Sequence, residues 1–129
     1  MKIRLFGDSV RVRLTQVEVE ALAGGGAIET IIAFPGEALV CILEASDGAI
    51  DAHHAAGRIT IQVPRERVAE WACSAEEGMY GSSGVLRIAM EKDYRCIHKP
   101  DSPDNAGTFP NPLAPADLPA IGTGVDSGT

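Results

Sequence analysis

Apolar and polar positions alternate near the start of the chain and then change period. Val10, Val12 and Leu14 fall on every second residue, the spacing of one buried strand face. Val19, Leu22 and Ala23 follow at i, i+3 and i+4, the spacing of one buried helix face. The same switch comes again 49 positions later, where Ile59, Ile61 and Val63 lead into Val68, Trp71 and Ala72. Both switches carry boundary signals. Thr15 and Glu18 have the spacing of a capping box. Pro64 suits a first helical turn, which needs no backbone N–H. Gly24-Gly25-Gly26 stops the first helix, and the stretch from Ser74 to Gly78 stops the second.

Each helix is preceded by a hairpin and followed by a long closing strand. The first hairpin turns through Gly7-Asp8, the second through Ala55-Ala56-Gly57. Ala38 to Ser46 aligns with Val85 to Asp93 after a two-residue shift. Ile28 to Ala33 adds a strand to the first half, with Met79-Tyr80 as its short remnant in the second. The expected fold is α+β, with an antiparallel, curved or barrel-like sheet and two helices. It is built from two pseudo-symmetric ββα(β)β units, about 2–46 and 50–93, in a single domain over 1–112.

Composition changes the picture mainly at the end of the chain. Residues 99–129 carry Lys99 against Asp101, Asp104, Asp117 and Asp126, and hold six of the eight prolines. So little apolar surface does not repay the entropy of ordering, and 113–129 is expected to be a disordered Pro/Gly/Asp-rich tail. The net charge of −7 argues against nucleic acid and against an anionic membrane surface as partners. No apolar run approaches the ~18–20 residues that cross a bilayer. Met1 to Leu5 alternates in polarity, where a secretory signal would be continuously apolar. Cys41, Cys73 and Cys96 are an odd number at wide spacing, the usage of a reducing compartment, so a cytoplasmic location is expected.

Several of these residues together resemble a known family. Met1-Lys2-Ile3-Arg4-Leu5, then Gly7-x-Ser9-x-Arg11-x-Arg13-Leu14-Thr15-x-x-Glu18-Val19, is similar to the opening of a bacterial family of small uncharacterised domains. Glu91-Lys92-Asp93-Tyr94-x-Cys96-x-His98 and Phe109-Pro110-Asn111-Pro112 resemble its ending. The resemblance spans roughly residues 1–112 and implies one domain with the tail outside it. It brings no activity, substrate or catalytic residue with it.

The first hairpin holds the main candidate site. A two-residue turn at Gly7-Asp8 sets Arg4 opposite Arg11 and Lys2 opposite Arg13, with all four cations on one face. Like charges directly opposite each other destabilise a sheet. An anionic ligand, a partner, or carboxylates of the same fold such as Glu44, Glu91 or Asp93 must offset them. Guanidinium groups suit phosphate and carboxylate because they bind in a forked geometry. The plainer reading is a solvated face crossed by internal ion pairs.

A second candidate is metal binding. Cys96 and His98 share a strand face at their spacing, and His53, His54 or Asp101 would complete a zinc site, although no recognised ligand spacing occurs. Otherwise Cys96 is a small buried hydrophobe and His98 a surface residue. His53-His54 also invites an acid–base reading, but no nucleophile accompanies it. Gly24-Gly25-Gly26 follows a helix instead of preceding one and is no phosphate loop. No catalytic residue is named and no cofactor is required. The function class expected is a non-enzymatic binding or interaction domain, a homodimer or the docking site of a protein partner or small anion. The alternative is a small metal-dependent or anion-handling enzyme using the cationic hairpin.

Overall fold

The computed structural model describes residues 1–94 and 107–110. In chain order the elements are β1 (Lys2–Phe6), β2 (Ser9–Leu14), α1 (Gln16–Ala23), β3 (Ile28–Ala33), β4 (Ala38–Ser46), β5 (Asp51–Ala55), β6 (Arg58–Pro64), α2 (Arg65–Ala72), β7 (Gly78–Ser83) and β8 (Leu86–Lys92). The order β-β-α-β-β thus occurs twice. The fold is α+β with two helices, as the pattern predicts.

The sheets are where expectation and structure part. Each hairpin is antiparallel, as expected, yet β2 pairs with β8 and β4 with β6 in parallel. The result is two mixed four-stranded sheets, ordered β1-β2-β8-β7 and β3-β4-β6-β5, and neither closes into a barrel among the described residues. Each run of the chain sends its first hairpin to one sheet and its second to the other, with the helix crossing between them. An alternating pattern marks which face of a strand is buried but carries no strand direction. The pattern therefore predicts hairpins and is silent about how hairpins join.

The two joins have matching registers. Val10, Val12 and Leu14 stand opposite Ile88, Met90 and Lys92, while Ile59, Ile61 and Val63 stand opposite Cys41, Leu43 and Ala45. Val10, Val12, Leu14, Ile88 and Met90 from one sheet share a core with Ile28, Leu43, Ile61 and Val63 from the other. Val19 and Leu22 of α1, Val68 and Trp71 of α2, Met79 of β7 and Ile50 before β5 join it. The sheets also touch at their edges. Thr30 Oγ1 donates to the Met1 carbonyl, Ser83 Oγ donates to Asp51, and Gly81 lies against Ile50.

Local chemistry explains the element ends. Thr15 caps α1 with the reciprocal Glu18 bond in place, and Gly24 closes it. Gly7 has φ +54 in the first hairpin, and Ala56 and Gly57 have φ +53 and +72 in the second, as tight two-residue turns require. One strand is longer than its sequence suggests. β7 runs six residues, Gly78–Ser83, where only Met79-Tyr80 carries strand-like character. Its glycines and serines have low strand propensity, and antiparallel pairing along β8 overrides it. The segment 107–110 returns to the domain. Phe109 N donates to the Asp93 carbonyl at 2.7 Å and Gln16 N to the Gly107 carbonyl at 3.1 Å. No helix among the described residues is long and apolar enough to cross a membrane.

Candidate anion-binding face

The ladders place the outward side chains of the first sheet in rows, because paired residues point to the same side. One row reads Lys2, Arg13, Glu91, Gly78 across β1, β2, β8 and β7. The next reads Arg4, Arg11, Ala89, Tyr80, and the third Phe6, Ser9, Arg87, Ser82. The hairpin register predicted from sequence is the one observed, and all four predicted cations share this outer face. Arg87 joins them from β8. Lys2, Ile3, Arg4, Arg11 and Arg13 line a shallow depression of about 110 Å³.

Two carboxylates lie among the cations. Glu91 and Asp93 are each only 4% exposed. The Lys2 ammonium sits 2.7 Å from Asp93 Oδ2. Arg11 Nη1 and Arg13 Nε approach Glu91 Oε1 at 3.6 and 3.5 Å, attraction without hydrogen-bond contact. Glu44, the third carboxylate considered from sequence, lies in the other sheet and accepts from Gln62 Nε2 at 2.9 Å. The plainer reading is therefore partly met, since internal ion pairs do cross this face. Arg4 and Arg87 have no carboxylate partner among the described residues.

Tyr80 fixes the other side of Glu91. Its hydroxyl donates to Glu91 Oε2 at 2.8 Å. Burial, that bond and the Glu91 and Glu77 charges push the phenol up to about 12, so it stays a donor at neutral pH. Gly78 makes this approach feasible. A Cβ there would lie 2.8 Å from Glu91 Cγ and 3.0 Å from Tyr80 Oη. Glu91 Oε1, by contrast, is buried with no hydrogen-bond donor among the described residues. Sequence reasoning missed Tyr80, Gly78 and Arg87, because seeing them needs the parallel β2–β8 register.

Beside the face, Lys92 is buried on the inner side of β8. Its ammonium donates to the Ser74 carbonyl at 2.6 Å and lies over the Trp71 and Phe109 rings. Burial lowers its pKa.

Of the predicted metal residues, His53 and His54 lie among the described residues. His53 is exposed at the β5 edge, with Nε2 3.3 Å from Asp51 Oδ2. The hydrogen bond from Ser83, the Ala52 N–H and His53 hold the Asp51 carboxyl below its usual value. Cys96 and His98, with the tail 113–129, lie outside the described residues. Among the described residues no group of three or more His, Cys, Asp or Glu is placed to hold a metal ion.

No curated protein and no solved structure matches the chain. Residues 1–113 match the family described as "Family of unknown function (DUF7009)", in line with the resemblance seen in the sequence. With most of its length and both end motifs inside that match, the chain belongs to this family of unknown function.

Proposed function

We infer that this protein is a binding domain whose first sheet receives an anionic group on its outer face. The reading is carried by one observation: Lys2, Arg4, Arg11, Arg13 and Arg87 outnumber Glu91 and Asp93 on a single face of a chain with net charge −7. Holding like charges opposite each other costs stability, and a bound anion returns it. The depression of about 110 Å³ suits one phosphate- or carboxylate-sized group. It is well below the ~300–1,000 Å³ of typical small-molecule sites, which favours a binding module over an enzyme. The test is thermal denaturation with added phosphate at fixed ionic strength. Phosphate should raise the melting temperature of the parent, by about 1.4 kcal/mol of stability at ten times Kd. Arg11→Gln with Arg13→Gln should abolish the rise. A parent protein that no oxyanion stabilises rules the reading out.

A second reading, self-association, rests on the other sheet. Its outer face carries Ile31, Val40 and Ile42 beside Thr60, with Ile31 59% exposed. A twofold axis along the strands, between β4 and β6, lays β3 of one copy over β5 of the other. Glu29 then meets His53, Ile42 meets Thr60, Ile31 meets Ala55 and Val40 meets Arg58. Sedimentation should give a dimer that Ile31→Lys converts to monomer, and a monomeric parent at high concentration rejects it. The matching registers of the two β-β-α-β-β runs also support an origin by duplication of one unit. The reducing usage of cysteine supports a cytoplasmic setting.

A further inference from the structure

The geometry points to a ligand of one kind at the cationic face: an oxyanion that carries its own O–H, as a protonated phosphate does. This deepens the anion-site reading and rests on it. Glu91 carries the inference. An anion site has no evident use for a carboxylate among its cations, yet Glu91 is 4% exposed and held in place. Tyr80 donates to Oε2, while Oε1 is buried without any donor among the described residues. A buried acceptor that receives no hydrogen bond is costly even beside two cations, and calls for a specific explanation.

Glu91 itself does not line the depression. Arg11 and Arg13, which line the depression, are the two cations that approach Oε1, and neither is close enough to hydrogen bond. Both arginine side chains are 44% exposed and have room to turn outward toward a ligand. An anion drawn in by the arginines then meets a carboxylate oxygen that repels a bare oxygen and accepts from a hydroxyl. Monohydrogen phosphate offers both functions in one group, anionic oxygens for the guanidinium forks and an O–H for Oε1. Sulfate offers the same shape without the hydrogen.

The charged groups around Glu91 come from every neighbouring strand. They are Lys2 from β1, Arg11 and Arg13 from β2, Asp93 just beyond β8, and Tyr80 from β7, with Glu77 preceding it. None supplies Oε1 with a hydrogen bond. The corresponding row in the second sheet is Asp51, Gln62, Glu44, with Gln62 in the place of Arg13 and Glu44 in that of Glu91. There the amide donates to the carboxylate directly. A neutral donor thus satisfies this position in one sheet, and the other sheet leaves it open among cations.

The experiment is isothermal titration of the full chain with inorganic phosphate and with sulfate at pH 7 and equal ionic strength. Phosphate should bind at least about tenfold more tightly, the worth of one hydrogen bond to a charged group. Glu91→Gln keeps the Tyr80 bond and offers an N–H in place of the acceptor, so its preference should vanish or reverse toward sulfate. Methyl phosphate, which has no other hydroxyl, at pH 5.5 and pH 8 separates an ester from the free ion, because an ester loses its last proton near pH 6. It should bind at pH 5.5 and weaken at pH 8, whereas inorganic phosphate keeps a proton at both. Equal affinity of the parent for phosphate and sulfate overturns the proton requirement while leaving the anion site standing. Undiminished ester binding at pH 8 does the same. Failure of every oxyanion to bind removes the anion site itself.

Discussion

Replacing Gly78 by alanine tests whether the candidate face is built by close packing. Gly78 sits at the start of β7, opposite Glu91 of β8, on the outward side of the sheet. A Cβ added there would meet the Met90 carbonyl oxygen at 2.6 Å, Glu91 Cγ at 2.8 Å and Tyr80 Oη at 3.0 Å. The last two atoms belong to side chains and have some freedom. The carbonyl does not, because Met90 is buried in the middle of β8 with β2 and β7 on either side. Ordinary contact begins at 3.4 Å, so about 0.8 Å must be found by moving one strand against another. Overpacking of this size costs about 2 kcal/mol. For a domain of this length that is a fall of roughly 8 °C in melting temperature. Gly48→Ala is the control, since its Cβ meets only Ser46 Oγ at 4.0 Å and it should stay within about 0.5 kcal/mol of the parent. Tyrosinate titration in a Tyr94→Phe background gives a second readout. Displacing β7 loosens the Tyr80–Glu91 bond, so the Tyr80 midpoint should fall from about 12 toward the ordinary value of 10.0. A Gly78→Ala variant that melts with the control and keeps its tyrosine midpoint would refute the reasoning.

Other consequences are more local. Trp71 is 1% exposed and its Nε1 has no hydrogen-bond partner among the described residues. Trp71→Ala should therefore cost about 3–5 kcal/mol by chemical denaturation, and Trp71→Phe much less, because no hydrogen bond goes with the indole. Burial raises the pKa of Glu18, but the Met1 ammonium and the Thr15 N–H and hydroxyl outweigh it and hold the carboxyl below its ordinary value. The folded value being the lower one, this stabilisation is present above the unfolded pKa and lost as pH falls through the folded one. Glu18→Gln should cost about 1 kcal/mol at pH 7, and the gap to the parent should close as pH falls toward 3. A gap that does not change with pH would mean that charge plays no part in the cap.

Much of the architecture was legible because it depends on local pattern. The helices at Gln16–Ala23 and Arg65–Ala72 follow from the change of period, and the Thr15 cap from a three-residue spacing. The Arg4–Arg11 and Lys2–Arg13 pairs follow from a two-residue turn, since turn length alone fixes hairpin register. Parallel joins have no such local cause. β2 meets β8 across more than seventy residues of chain, and nothing in either strand states which neighbour it takes or in which direction. Arg87, Ala89 and Glu91 could not be placed beside Ser9, Arg11 and Arg13 without that join. Gly78 read as a helix stop and Met79-Tyr80 as a short strand remnant for the same reason. The purpose of Gly78 and Tyr80 becomes visible only when Glu91 stands beside them.

The two sheets also show where function is most economically sought. Equivalent ladder positions hold Val10 and Ile59, Val12 and Ile61, and Leu14 and Val63 on the inner faces, all apolar. On the outer faces Lys2 corresponds to Asp51, Arg4 to His53, Arg11 to Thr60 and Arg13 to Gln62. Inner positions agree because one shared core constrains both sets by volume and polarity. Outer positions are free of that constraint, and stability alone does not favour cations at all four places in one sheet. It disfavours them, since Lys2 faces Arg13 and Arg4 faces Arg11. Glu91 and Asp93 relieve only part of that cost, because ion pairs to half-exposed side chains are worth about 0–1 kcal/mol each. A carboxylate at the Glu91 position is common to both sheets, as Glu44 in the second. What differs is that Glu44 has its donor and Glu91 Oε1 has none among the described residues. The first sheet therefore carries repulsion among its cations and, at neighbouring positions, a buried carboxylate oxygen that accepts no hydrogen bond among the described residues, and a single ligand with anionic oxygens and one O–H would relieve both.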